Sequence, residues 1–343
     1  MGKGSTTPKT RQRLALGAAP LALLLGSILA WLTACSQPQP PLRVATTPWI
    51  GYQPILLAED LGHYPADSIR LVELSSNTES LRALRNRDVE AAALTLDEAL
   101  LLAAEGHDIA VPLVLDCSAG ADALVARPEL RTLSDLAGRR VGVESSANGA
   151  YVLSRALHLA DLTPADIQVV PLRSDDQVEA FRAGRVDALV TYEPRRTQLA
   201  ALGAETLFDS REIPCEIVDV LVVHREVLAE RRAQMARLLK GWFAAVDYHA
   251  AAPAEAAARL APRLGMEPEQ YLDAVAGVEL GTLAINCRAL QPAAGANGLA
   301  VSAGDLARGM RANGLLTGEP DLSRLVEPGP LRALGCEGTP SRR

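Results

Sequence analysis

The side chains able to do covalent or metal chemistry are few in this chain, and their placement argues for binding rather than catalysis. His63, His107, His158, His224 and His249 are scattered without ligand spacing, which disfavours zinc. Cys117, Cys215, Cys287 and Cys336 lie far apart, so no CxxC redox or zinc pattern exists. No Gly-x-Ser-x-Gly elbow, P-loop or metal motif appears. What remains is the chemistry of helix starts. Trp49 and Tyr52 precede a helix, where an aromatic ring can cover a ligand while free helix N–H groups face it; Trp49 would serve equally as a core plug. Ser145, Ser146, Ala147, Asn148 and Gly149 precede another, suiting a carboxylate, a sulfonate or a polar ring edge as well as a simple cap. Glu193, before Pro194, opens a third, where the helix dipole favours a carboxylate.

The fifth cysteine, Cys35, follows Leu32-Thr33-Ala34 at the end of an apolar run from Leu14 to Trp31. Lys3, Lys9, Arg11 and Arg13 precede that run, giving the order of a secretory signal. The stretch resembles the lipobox of bacterial lipoproteins, which implies cleavage after residue 34 and a lipid on Cys35. An uncut transmembrane anchor is the alternative, since the run is nearly long enough to span a bilayer. Against it, no basic stop-transfer cluster follows, and residues 35–41, with Ser36-Gln37-Pro38-Gln39-Pro40-Pro41, read as a tether. The expected location is extracytoplasmic and membrane-anchored. In an oxidising compartment the other four cysteines permit two disulfides in three connectivities.

Without residues 1–34, which hold four basic and no acidic residues, the net charge falls from −7 to about −11. That balance excludes nucleic acid as a partner and a polybasic membrane-binding surface, leaving anchoring to the lipid. About 300 residues then remain, enough for two domains.

Stretches of strand and helix character alternate to position the candidate residues. Leu42–Ala45, Ile69–Leu74, Ala91–Leu94 and Ile109–Leu115 read as strands, with helices between them opening near Gly51, Thr78 and Asp97. The pattern restarts with strands at Ala121–Ala126, Arg140–Glu144, Ile167–Pro171, Val186–Val190 and Thr206–Phe208, and with helices at Gly149–Ala160, Gln177–Ala183 and Glu193–Leu202. After Ile217–Val223 the chain is helical, with Leu228, Met235, Leu238, Leu239, Trp242, Phe243 and Val246 at helical spacing as a core stripe. This predicts an α/β, two-lobed protein of helix-flanked sheets with a helical C-terminal part. Lobe 1 is expected over 42–115 and 220–335 and lobe 2 over 116–219, with a ligand cleft between them.

Several segments carry a family resemblance. They are Trp49-Ile50-Gly51-Tyr52-Gln53-Pro54, Leu94-Thr95-Leu96-Asp97-Glu98, the stretch from Ser118 to Leu124, the stretch from Leu136 to Glu144, the stretch from Gly184 to Pro194, and Glu216-Ile217-Val218-Asp219-Val220-Leu221. In this order, from about Arg43 to Tyr248, the chain resembles the substrate-binding proteins of ABC importers in the nitrate/sulfonate/taurine and thiamine-precursor (NMT1/THI5-like) group. The resemblance implies the type II periplasmic binding protein fold, with mixed sheets, and lobe closure around a small solute that is passed to an inner-membrane ABC permease. It implies a monomer without cofactor or metal. It places ligand contacts at Trp49, Tyr52, Gln53, Thr95, Asp97 and Ser118, and at Ser145, Ser146, Asn148, Tyr151, Glu193 and Asp219. Past Glu279 it fades, and Pro292–Gly298 looks like a plain loop.

Charge adds one expectation about the ligand, and the cysteines depart from the family pattern. Asp97, Asp116, Glu144, Glu193 and Asp219 make the expected cleft acidic, which favours an amine, an amidine or a protonated ring over a bare anion. Cys117 and Cys215 stand at the two lobe crossovers, where small or polar residues are expected. A Cys117–Cys215 disulfide at the hinge is therefore expected, with Cys287–Cys336 tying down the tail. Two other readings stand beside transport: a sensory lipoprotein feeding a receptor, and a precursor-biosynthesis enzyme on the same fold.

Overall fold

The computed structural model describes residues 1–2, 4, 39–144, 146–291 and 298–336. Cys35, nearly all of the leader, most of the tether, Ser145 and most of the 292–298 loop lie outside the described residues. From Pro41 onward the chain packs as one compact unit, described here by itself.

Its strands are β1 (Leu42–Thr46), β2 (Ile69–Glu73), β3 (Ala91–Thr95), β4 (Ile109–Ser118), β5 (Asp122–Ala126), β6 (Arg140–Glu144), β7 (Gln168–Leu172), β8 (Ala188–Tyr192), β9 (Glu205–Asp209), β10 (Val218–His224) and β11 (Val278–Leu280). They form a six-stranded sheet in the order β11-β4-β10-β3-β1-β2 and a five-stranded sheet in the order β7-β6-β8-β5-β9. Both sheets are mixed. In the first, β1 pairs parallel with β2 and β3, while β10 and β11 run antiparallel to their neighbours. The all-buried runs Ala91–Thr95 and Ile109–Ser118 are what interior strands covered on both faces require. Pro112 cannot donate to the ladder, and the β4–β10 register slips beside it.

Strand β4 extends three residues beyond the expected Leu115, so Asp116, Cys117 and Ser118 belong to the six-stranded sheet, as do Val218 and Asp219. The chain crosses to the second sheet at 119–121. There Gly120 takes a positive φ of 128°, and the Ala119 and Ala121 N–H groups both donate to the Gly277 carbonyl, at 2.8 and 3.1 Å. Disulfides join Cys117 to Cys215, beside the crossing, and Cys287 to Cys336.

The first sheet shares one large core with the C-terminal helices. From the expected stripe, Met235, Leu238, Leu239, Trp242, Phe243 and Val246 are buried in it and Leu228 is partly buried. The second sheet carries a separate core on each face.

Candidate functional site

The site is built where the carboxyl ends of β1 and β3 meet the crossing. Strand register sets Thr95 of β3 opposite Asp219 of β10, and Asp219 opposite Asp116 of β4, so these three side chains form one row across the sheet. The loop leaving β1 supplies donors to that row. Trp49 Nε1 donates to Asp116 Oδ2 at 3.1 Å, and the Tyr52 hydroxyl donates to Asp219 Oδ1. Gln53 Nε2 donates to the Trp49 carbonyl at 3.0 Å, bracing the loop. Gly51 is required by close approach, since a Cβ there would sit 2.0 Å from Asp116 Oδ2 and 2.6 Å from Trp49 Nε1.

The second sheet contributes Asp122 and Tyr192, which are register partners on β5 and β8. Asn148, in the first turn of the helix Ala147–Leu159, donates to Asp122 Oδ1 at 3.0 Å. Trp49, Asn77, Thr95 and Asp219 from one side, with Asp122, Asn148 and Tyr192 from the other, enclose a cavity of about 20 Å³. That is the space one ordered water needs. The Trp49 and Tyr192 rings meet edge to face across it, 5.9 Å apart and at 78°. Outside them Thr78 donates to Glu144 Oε1 at 3.1 Å, joining the two lobes. Tyr192 donates to Glu144 Oε2 at 3.3 Å.

Burial dominates the electrostatics. It pushes the Asp122 carboxyl up to about 6, against the hydrogen bonds from Ser118 and Asn148 that pull it down. Burial likewise raises the adjacent Asp116 and Asp219, with Asp122 adding to both; a hydrogen bond between the two carboxyls raises Asp219 further and pulls Asp116 down. Asp97, Glu98, Glu144 and Glu193 are raised by burial too. Arg195 pulls Glu144 down and Arg196 pulls Glu193 down, but no arginine is among the groups that shift Asp116, Asp122 and Asp219. Buried Arg195 is bonded instead to the Ser174 carbonyl at 2.7 Å and to Asp175 at 2.8 Å. Among the described residues the one group of three potential metal ligands is Cys117, Cys215 and Glu279, and both of its sulfurs are in a disulfide. Among the described residues the cleft acids form no such group.

The expected ligand residues thus separate. Trp49, Thr95, Asn148 and Asp219 line the chamber, and Tyr52 lies beneath it holding Asp219. Gln53 is fully buried behind it, and Asp97 is buried at the start of the helix Leu96–Ala104. Ser118 serves the crossing, accepting from the Asp122 N–H at 3.1 Å and bonding Ser210 at 2.8 Å. Ser146 caps its helix through the Gly149 N–H, and Ser145 is outside the described residues. Tyr151 donates to Glu216 at 2.6 Å. Glu193 accepts from the Thr197 N–H and hydroxyl at 3.1 and 2.8 Å, bracing the helix Arg195–Ala200. Asn77, Asp122 and Tyr192 are lining residues that sequence reasoning missed. Asp122 and Tyr192 had a legible signal, since Asp122 opens and Tyr192 closes a strand within a matched segment.

Two helix-flanked mixed sheets joined at a crossing define the periplasmic binding protein fold. The alkanesulfonate-binding protein SsuA of Xanthomonas axonopodis pv. citri, solved with MOPS bound, superposes with a TM-score of 0.70 at 19% identity, covering 85% of this chain and 99% of that one. A ligand-binding component of an ABC-type import system from Staphylococcus aureus, solved with zinc, gives 0.72 at 13% identity over 88% and 100%. The desulfurization enzyme DszB shares the fold, at 0.60 and 17% identity over 86% and 98%. Within that class the chain belongs to the NMT1-like family, whose pattern matches residues 36–265. A Brucella abortus protein described as a binding protein is 24% identical over 142 residues, covering 38% of this chain and 43% of that one. The chain therefore spans less than half the length of the curated relatives it matches.

Proposed function

We propose that this protein is the extracytoplasmic solute-binding component of an ABC import system, tethered by a lipid on Cys35 and delivering its solute to an inner-membrane permease. The solute class that suits it is a small, N–H-donating nitrogenous base or cation. The observation that carries this is the pair Asp122 and Asp219, contributed by the two lobes to one chamber in which the lining polar partners are amides, a hydroxyl and two rings. A positive or N–H-rich group relieves the burial of those carboxyls, while a sulfonate would set a further anionic group beside them. Entry requires the Trp49–Tyr192 and Thr78–Glu144 contacts to part. The solute then selects the closed arrangement by binding it more tightly.

The deciding experiment is a thermal-shift panel of alkanesulfonates, nitrate, taurine, aromatic amines, amidines and aminopyrimidines. A solute at a hundred times its Kd stabilises the protein by about 2.7 kcal/mol. An amine, amidine or aminopyrimidine that stabilises the protein, with the shift lost in Asp122→Asn, supports the reading. Tight binding of an alkanesulfonate with no response to nitrogenous solutes overturns the solute class. A flat response to every member on folded protein removes support for the transport reading.

A further inference from the structure

The largest cavity among those described is remote from the cleft. It has a volume of about 730 Å³, against about 20 Å³ for the inter-lobe chamber, and falls within the usual range of small-molecule sites. It lies where β10 ends at His224 and β4 begins at Ile109, the ends opposite the crossing. At the rise of a β-strand, the length of β4 puts it about 30 Å from Ser118.

Its lining has two characters. Leu228, Met235, Val326 and Pro330 give it an apolar wall, with the exposed Ala229 and Ala333 at its mouth. Around this wall stand Arg225, Arg232 and Arg324, against one carboxylate, Glu327. Arg225 is engaged, donating to Asp108 at 2.8 Å and to the Ile109 carbonyl at 2.8 Å, and lying 3.7 Å from Glu327. Arg324 is 61% exposed and reaches Asp108 only at 3.8 Å. Arg232 is exposed, and among the described residues it has no hydrogen-bond or ion-pair partner. With Arg225 engaged by Asp108 and Glu327, the guanidiniums left to a ligand are Arg232 and Arg324, and an apolar trough edged by these two is complementary to a molecule with an apolar chain and a single anionic head.

We infer that this groove is a second binding site, taking a free amphiphilic monoanion of the alkyl carboxylate type, with its chain along Leu228, Met235, Val326 and Pro330 and its head at Arg232 and Arg324. The site is independent of the cleft, because no residue lines both cavities.

The test is photoaffinity labelling of the full chain, held in a non-ionic detergent, with a diazirine-bearing alkyl carboxylate. Labelled peptides are mapped by mass spectrometry. Saturable labelling of the 225–236 and 323–333 segments is expected, competed by decanoate and not by decanol. Arg232→Glu and Ala229→Trp should each reduce it at least tenfold, while Asp122→Asn leaves it unchanged. Melting curves report whether each variant folds; should Ala229→Trp not fold, Arg232→Glu decides alone. Labelling that is diffuse, competed equally by decanol, or unchanged in Arg232→Glu overturns the site. Competition by phosphatidylglycerol vesicles but not by decanoate overturns the free amphiphile, because the groove would then be reading a bilayer surface.

Discussion

The acids of the cleft and the acids of the outer shell are the same residue types in opposite electrostatic states. On the shell, Glu90 accepts from the Arg43 backbone at 2.8 Å and from its guanidinium at 2.6 Å. Burial pushes that carboxyl up, but Arg43 more than offsets it and holds it below the ordinary range. Asp187 is held down in the same way by Arg140, and Asp209 by Arg211. In the cleft, Asp116, Asp122 and Asp219 meet neutral donors from Trp49, Tyr52, Asn148 and the crossing, Asp116 and Asp219 meet each other, no cation joins them, and all three are raised. Paired carboxylates fasten strand ends together. Carboxyls buried without a cation keep an unfavourable desolvation, which a cationic ligand of the kind proposed above would relieve.

Four substitutions test that contrast. The largest effect belongs to the chamber: Asp219→Ala, which removes one wall's carboxyl, should weaken the nitrogenous solute about a hundredfold. Calorimetric titration measures this, and an unchanged Kd would place the solute elsewhere. Next, Tyr52→Phe leaves the buried Asp219 without its hydroxyl donor and should cost about 2 kcal/mol in urea unfolding.

Smaller, and opposite in sign, is Asp122→Asn. Folded Asp122 titrates near 6 against an ordinary 3.8, so the folded state holds its proton over a range where the unfolded state has released it. Stability therefore falls as pH rises through that window, and the penalty is complete above about 6. Asparagine keeps an acceptor for Asn148 and never ionises. The variant should be about 1–2 kcal/mol more stable than the parent at pH 7, and equal to it near pH 4. Destabilisation at both pH values would break the account. The smallest effect is expected from Arg43→Ala. Its pair with Glu90 is partly exposed and solvent-screened, so the loss at pH 7 should be under about 1 kcal/mol. Glu90 is lowered when folded, so its contribution is present at neutral pH and lost in acid, and this variant should converge on the parent as pH falls.

Much of this was legible in the chain. The strand and helix alternation read correctly because apolar runs such as Ala91–Leu94 and Ile109–Leu115 are continuous and bounded by Gly or polar clusters. Trp49 and Asp219, which line the inter-lobe chamber, were legible because each lies in a matched segment. The acid row itself was not. Thr95, Asp116 and Asp219 become neighbours only through the β3–β10–β4 pairing, which joins segments about a hundred residues apart and has no local signature. For the same reason the short strand β11 went unread, since three residues against the end of β4 leave no periodicity. Glu193 and Ser118 drew attention through residue type and position, but their hydrogen bonds go to Thr197 and to the crossing. Capping chemistry and ligand chemistry use the same side chains, and only the direction of the bond distinguishes them.

The bond between Cys117 and Cys215, 98 residues apart, closes the second sheet into a covalent ring attached to the rest of the chain at a single seam. A protease that cuts one peptide bond between the two cysteines cannot divide the molecule. The nicked protein keeps its mass on a non-reducing gel and separates into two fragments only after thiol is added. An exposed loop in that ring can therefore be clipped without the lobe being shed.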